Sequence, residues 1–255
     1  MKIATWNVNS LKVRLPHVLD WLTAHQPDVL CIQETKLEDR NFTASEIQEA
    51  GYHVVFSGQK TYNGVAIVSR EPLLEIGMGI PGFDDEQKRV IYGTYQGVRV
   101  VCGYFPNGQS LDSDKYQYKL KWLAGLHAWL KEELTKYPQL ALLGDYNIAP
   151  EDRDVHDPKA WEGQVLVSEP EREALRGLER LGLKDSFRLF EQPEKTFSWW
   201  DYRMMAFRRN MGLRIDLILL TEPLAAKCKS STIDRAPRKL ERPSDHAPVI
   251  AEIDI

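Results

Sequence analysis

The chain has 255 residues, 43% of them apolar and 27% charged, with a formal net charge of −4 and a sequence pI near 5.9. That length carries one large core, and no apolar run approaches the roughly 20 residues of a membrane-spanning helix. Three scattered cysteines, Cys31, Cys102 and Cys228, form no Cys-x-x-Cys pair, which argues against a disulfide framework or a zinc site.

The N-terminus, "MKIATWNVNS", enters a short apolar strand and turns polar by Asn7. It lacks the apolar stretch of about 7–15 residues that marks a signal peptide, so a cytoplasmic protein is expected. Pro16 to His25 predicts a helix with proline in its first turn, and "DVLCIQE" predicts the next strand. Thr43-x-x-Glu46 has the form of a capping box, opening a short helix that Gly51 closes. "NGVAIVSR" reads as a strand and "RVIYGTYQGVRVVCGYF" as a hairpin turning at Gln96-Gly97. Residues 115–136 give the longest helical pattern, with Trp122, Leu126, Trp129, Leu130 and Leu134 on one side. "LALLGDYN" is a further strand, and a polar loop follows from 149 to 167. Ser168-x-x-Glu171 then caps a helix ended by Gly182, and "RIDLILLT" and "APVIAEIDI" supply the last strands.

No Ser/Gly-rich linker and no short repeat interrupts this order. A single α/β domain over residues 1–255 is expected, with two sheets packed face to face and helices outside. Charge is unevenly spread: from Lys195 to His246 eleven Lys/Arg stand against six Asp/Glu. The excess falls in "RMMAFRRNMGLR" and "DRAPRKLER", a pattern that fits either a solvated basic face or an anion-binding one.

Several apolar strands end by presenting a polar side chain. "IATWN" gives Asn7, "VLCIQE" Glu34, "VRVVCGY" Tyr104, and "LALLGDYN" Asp145 with Asn147. "GLRID" gives Asp216 as its strand begins, and "RPSDHAP" gives Asp245 and His246 just before the final strand. Strand alternation points Asp145 and Asn147 the same way. Any one such residue is ordinarily a turn former or a cap; the repetition across six strand ends is what carries weight. If the ends converge, the donor set is hard and oxygen-rich, suited to Mg²⁺ or Mn²⁺ rather than zinc. The residues alone therefore suggest metal-assisted phosphoester hydrolysis.

"WNVNS", "QETK", "GDYNIAP", "GLRID" and "PSDHAP", in this order and spacing, resemble the exodeoxyribonuclease III family of abasic-site endonucleases. That family lies within the deoxyribonuclease I-like endonuclease/exonuclease/phosphatase superfamily, and the resemblance runs from Lys2 to the final strand. It implies a four-layered α/β sandwich of two mixed sheets. Glu34 would be the principal metal ligand with Asn7 nearby, and Asp245 a second ligand position; Asp145, Asn147 and His246 complete the implied metal neighbourhood. Asp145 would orient or deprotonate the attacking water. Asn147 would position that water and stabilise the phosphorane-like state. His246 would contact the scissile phosphate, held by Asp216, and Tyr104 would donate its hydroxyl to a phosphate oxygen.

"FSWWDYR" and "MGLRID" also match. Trp199 and Leu213 would line a pocket for a deoxyribose lacking its base, and Arg203, Arg208 and Arg209 would grip flanking phosphates. The implied cofactor is Mg²⁺, with Mn²⁺ as a substitute. The implied partner is double-stranded DNA with abasic sites or 3′ ends, acted on by a monomer away from any membrane. Family activities comprise abasic cleavage, 3′-phosphatase and 3′→5′ exonuclease; the loop "PEDRDVHDPKAWEGQVLV" has no anchor to the family pattern beyond Asp157 and Trp161.

Three rival readings compete with this one. A non-catalytic nucleic-acid-binding regulator of the catabolite-repression control type would be expected to lack several of these acids, and all are present. A lipid or inositol phosphate hydrolase of the same superfamily would share the metal cluster but not "FSWWDYR" and "MGLRID". A serine hydrolase is rejected, because Ser244, Asp245 and His246 are adjacent and no GxSxG elbow occurs.

Overall fold

The computed structural model describes residues 1–255. The first half contains β1 (Lys2–Asn7), α1 (Leu11–His25), β2 (Val29–Gln33), α2 (Ala44–Glu49), β3 (His53–Ser57) and β4 (Val65–Ser69). Next come β5 (Leu74–Met78), β6 (Val90–Tyr95), β7 (Val98–Tyr104), α3 (Asp114–Lys136), β8 (Leu140–Asp145), α4 (Pro158–Trp161) and α5 (Glu169–Arg180). The remainder comprises β9 (Leu183–Asp185), β10 (Trp199–Trp200), β11 (Gly212–Leu213), β12 (Asp216–Thr221), α6 (Glu222–Ala225), β13 (Cys228–Ile233) and β14 (Val249–Ile253).

One sheet has the order β13-β14-β1-β2-β4-β3 and the other β5-β6-β7-β8-β12-β9. Each holds a single parallel pair, β1–β2 and β7–β8, so both sheets are mixed. Period-two alternation divides the apolar side chains between two faces. Ile3, Val29, Cys31 and Ile67 of the first sheet meet Val100, Cys102, Leu143 and Ile218 of the second in the central core. Trp6, Leu30 and Ile32 face outward beneath Val18, Trp21 and Leu22 of α1. Leu142, Leu217 and Leu219 lie beneath Trp122, Leu126, Leu175 and Leu178 of α3 and α5. The layers thus run helix, sheet, sheet, helix, the four-layered α/β sandwich expected. No helix is long and apolar enough to cross a membrane.

Local signals fared unevenly. Gln96 and Gly97 both take positive φ (47° and 83°) in the two-residue loop between β6 and β7, the turn that matches strand twist. The Ser168–Glu171 box forms. The Thr43–Glu46 box does not: the Thr43 hydroxyl is buried without a partner, and Glu46 accepts from Ser45 Oγ instead. Helix α1 begins at Leu11, a turn earlier than expected, because Ser10 caps it through a bond from the Val13 N–H. Pro16 therefore sits inside the helix and forfeits one ladder bond.

Strand direction brings the polar ends together. The C-terminal ends of β1 and β2 lie side by side, as do those of β7 and β8. Antiparallel β12 starts where β8 finishes, with Asp216 paired to Asp145 and Tyr104 on Asp145's other flank. Strand β14 runs antiparallel to β1, so the residues just before it, including His246, return to the same end.

Candidate active site

Glu34 follows β2 at a positive φ of 53°, which turns it out of the strand. Between the sheets, the Asn7 side-chain amide donates to Glu34 Oε2 at 2.6 Å and to Asp145 Oδ2 at 2.8 Å. Asn7 Oδ1 accepts the Asn9 N–H at 3.0 Å, so the NH₂ end of this amide, rather than its oxygen, faces the carboxylates. Lys36 Nζ lies 3.6 Å from Glu34 Oε1 and donates to Asn9 Oδ1 at 2.7 Å.

Asp145 is 1% exposed, and its Oδ1 accepts the Asn147 N–H at 3.0 Å. Both Asp145 and Asn147 face the same cleft, but simple alternation is not the reason. Strand β8 ends at Asp145, and Tyr146 turns the other way to stack on Phe105 with ring centroids 4.1 Å apart. Asn147 reaches the cleft through a left-handed backbone (φ 48°). Its side-chain NH₂ donates to Phe105 O at 2.9 Å, and Lys119 Nζ donates to its carbonyl at 2.6 Å.

His246 is fixed by backbone and side chain together. Ribbon strand β10 runs beside it, with Trp200 N donating to Asp245 O and Ala247 N to Ser198 O. Its Nδ1 lies 2.8 Å from Asp216 Oδ2, which also accepts Ser198 Oγ at 2.7 Å. The other ring nitrogen, Nε2, points at the cleft, 3.6 Å from Asp145 Oδ2 and 4.0 Å from Asp245 Oδ1. Asp245 in turn accepts from Trp199 Nε1 at 3.0 Å.

Burial pushes the Asp145 carboxyl up to about 7; Asp216 and Glu34 add to the rise, while His246 and the Asn7 amide oppose it. Burial acts to lower His246, but Asp216, Asp145 and Asp245 outweigh it and hold the imidazole protonated well above its usual range. Burial first, then Glu34 and Asp145, keep the Tyr104 hydroxyl protonated well above the usual tyrosine range. Donor atoms of Glu34, Asp145 and His246 all lie within 4.8 Å of one another. An imidazolium has no lone pair to offer a metal, so the carboxylates of Glu34 and Asp145 are the donors that fit a cation. The fit is chemical: a hard divalent ion between two oxygens removes the repulsion and desolvation that lift Asp145.

The cleft encloses about 490 Å³. Glu34, Asp145, Asn147 and His246 form its polar end, and Trp161, Val165, Leu166, Trp199 and Ile215 form an apolar wall. Leu213, expected in that wall, is fully buried behind it: its pairing with Trp199 turns it into the small core with Val155, Leu166 and Ile215. Arg203 lines the rim but is paired with Asp201 at 2.8 Å. Arg208 and Arg209 are exposed and lie outside the lining. Part of the counted basic excess is internal. Arg214 is 1% exposed between Asp154 and Asp185, and Arg238 is buried against Phe207.

Sequence reasoning missed several contributors. A second, polar cleft of about 610 Å³ opens on the other side of Tyr104, lined by Arg89, Asn107, Lys115 and Tyr118. The Arg89 guanidinium lies over the Tyr104 ring, 4.8 Å from its centroid. Asn9, Lys36, Lys119 and Ser198 were missed as well. Ser198 adjoins the quoted Trp199, but nothing in the one-dimensional pattern separates Lys119 from the solvated lysines of α3.

Comparison with known proteins matches residues 4–246 to the endonuclease/exonuclease/phosphatase family. Exodeoxyribonuclease III of Haemophilus influenzae is 38% identical over 99% of both chains, and an exodeoxyribonuclease of Bacillus subtilis 33% over the whole of both. Among solved structures, the Neisseria 3′ phosphatase NExo bound to a product DNA hairpin superposes with a TM-score of 0.98 at 48% identity over both full chains. An AP endonuclease from Archaeoglobus fulgidus gives 0.97 at 41%, again over both full chains. The chain belongs to the endonuclease/exonuclease/phosphatase family, in its exodeoxyribonuclease III branch.

Proposed function

We propose that this protein is a Mg²⁺-dependent DNA-repair nuclease, acting on double-stranded DNA as a monomer. It hydrolyses phosphodiesters from 3′ ends and at abasic sites, and removes 3′-phosphates. The observation that carries this reading is the meeting of Glu34, Asp145 and the His246–Asp216 pair at one end of two sheets, inside a cleft with an apolar wall. Names of relatives sharing 33–48% identity across their full lengths support the same class of reaction.

Glu34 and Asp145 would hold the cation, with Asp245 alongside; the bound cation supplies Lewis-acid polarisation of the phosphate. Asp145, buried between Asn7 and the Asn147 N–H, would orient the attacking water or take its proton through a carboxylate oxygen. Asn147 spends one side-chain N–H on Phe105 O and keeps the other for that water or a phosphoryl oxygen. His246, protonated and held by Asp216, places a positive N–H where phosphate charge develops. The Tyr104 hydroxyl, kept protonated, donates to a second phosphate oxygen. Trp199 and its neighbours accept the sugar at the cut, and Arg203, Arg208 and Arg209 contact backbone phosphates.

The test is a panel of three labelled duplexes on denaturing gels with Mg²⁺, with Mn²⁺ and with EDTA. One carries an internal abasic analogue, one a 3′-phosphate and one a plain recessed 3′ end. Metal-dependent product on at least one substrate is expected, and the pattern assigns the dominant activity. No product on any of the three overturns the reading.

A further inference from the structure

Lys119 and Glu171 are both completely buried, paired with each other and far apart in sequence. The pair lies at the meeting point of three segments that line the 490 Å³ cleft. Lys119 Nζ donates to Asn147 O at 2.6 Å and to Asn107 O at 3.3 Å. Glu171 accepts the N–H of Leu166, the N–H of Ser168 and the Ser168 hydroxyl. Ala149 N then donates to Leu166 O at 2.9 Å, which closes the loop back onto the Asn147 segment.

A buried ion pair is weak evidence of stabilisation, since an apolar pair of similar volume often serves as well. This pair does something an apolar one could not: it gives charged hydrogen bonds to three irregular backbones at once. The Asn147 segment is held most directly, because it takes the shorter of the two ammonium bonds just past the end of β8, at a left-handed φ of 48°. Asn107, tied by the same ammonium, also sends its side-chain amide toward Asn147 Oδ1 at 3.4 Å. We infer that Lys119 is a positioning residue for Asn147, and that Glu171 locks this position to the Leu166 wall of the cleft.

The inference rests on the nuclease reading above, and it is tested by a double-mutant cycle. The neutral pair Lys119→Met/Glu171→Gln removes both charges together, so neither is left buried alone. Its kcat and KM are measured on the labelled duplex with Mg²⁺, in the wild-type and Asn147→Ala backgrounds, at a temperature where circular dichroism shows all four proteins folded. A displaced positioning group lowers kcat by about tenfold to a hundredfold. KM should stay within about twofold, because neither replaced side chain lines the cleft. In the Asn147→Ala background the same pair should change kcat by less than about twofold. Should the neutral pair not fold, Glu171→Asp alone is read in its place; it keeps a negative charge beside Lys119 but draws the carboxylate back by one methylene, and should give a smaller fall in kcat that also vanishes with Asn147→Ala. Equal falls in both backgrounds overturn the inference, as does a variant that cleaves like the wild type. A wild type that cuts no DNA overturns the nuclease reading itself and this inference with it.

Discussion

Asp216→Asn isolates what the buried carboxylate does for His246. Asp216 is 1% exposed and lies 2.8 Å from His246 Nδ1, and it is the foremost of three acids raising that imidazole against the effect of burial. The amide can still present its oxygen to Nδ1–H, so geometry survives while the charge is lost. A hydrogen bond to a charged group is worth about 1.5–3 kcal/mol and a neutral one about 1 kcal/mol, so the imidazolium loses roughly 0.5–2 kcal/mol of support. That lowers its pKa toward the usual imidazole range. The remaining Asp145 and Asp245 keep it from falling further. The sign is fixed. In the wild type the raised folded pKa contributes stability below the unfolded value of about 6.5, lost as pH rises through the folded value.

The assay is kcat against pH from 6 to 10 for both proteins on the labelled duplex. The variant should lose roughly threefold to thirtyfold in kcat, the rate equivalent of that lost support for a donor that is weakened rather than removed. Its alkaline limb should begin at lower pH than the wild type's, because His246 gives up its proton earlier. A variant with an unshifted alkaline limb and less than about a threefold loss would refute the assignment of His246 as a charged donor.

Mg²⁺ should raise the melting temperature more at pH 8 than at pH 5. The raised Asp145 pKa of about 7 gives the metal-free fold stability that is full below about pH 4 and lost as pH rises through 7; a cation replaces the proton there, and equal shifts at both pH values in differential scanning fluorimetry would count against the site. Gly144→Ala should destabilise by about 1–3 kcal/mol or more in urea unfolding, since the new Cβ would lie 1.8 Å from Gly103 O and part β7 from β8. Displacement of the adjoining Asp145 should also cut kcat well below the unfolding temperature; wild-type stability and rate would show that the strand contact is dispensable. Arg208→Gln/Arg209→Gln should weaken DNA binding in fluorescence anisotropy and reduce the slope of log K against log salt by about 2, and an unchanged slope would remove both residues from the DNA footprint.

The parts of the fold most legible in sequence were those with strong periodicity. The fully buried strands β2, β4, β8 and β12 read as continuous apolar runs, and the 23-residue helix α3 announced itself by its apolar stripe. Site residues at strand ends were legible for the same reason: Asn7, Glu34, Tyr104, Asp145, Asp216 and His246 all close or open such runs. Leu213 was misplaced because strand pairing decides which side of a two-residue ribbon is buried, and no local pattern carries that. Thr43 failed as a cap because its sequence box is satisfied by a neighbour, Ser45, that competes for Glu46. Lys119 was invisible because burial of a helix lysine depends on a carboxylate 52 residues away. The basic excess was overstated for a related reason, since Arg214 is neutralised inside the protein by Asp154 and Asp185.

On the proposed function, a cation-binding carboxylate pair and a protonated histidine at this sheet end cleave DNA phosphodiesters. The most direct measurement compares wild type with Asp145→Asn on a 5′-labelled duplex bearing one abasic analogue and a recessed 3′ end, with Mg²⁺ and with EDTA. The expected result is metal-dependent cleavage by the wild type, none in EDTA, and a loss of at least about 10³-fold in the variant despite retained binding. Cleavage that persists in EDTA, or that survives Asp145→Asn at near wild-type rate, would contradict the account.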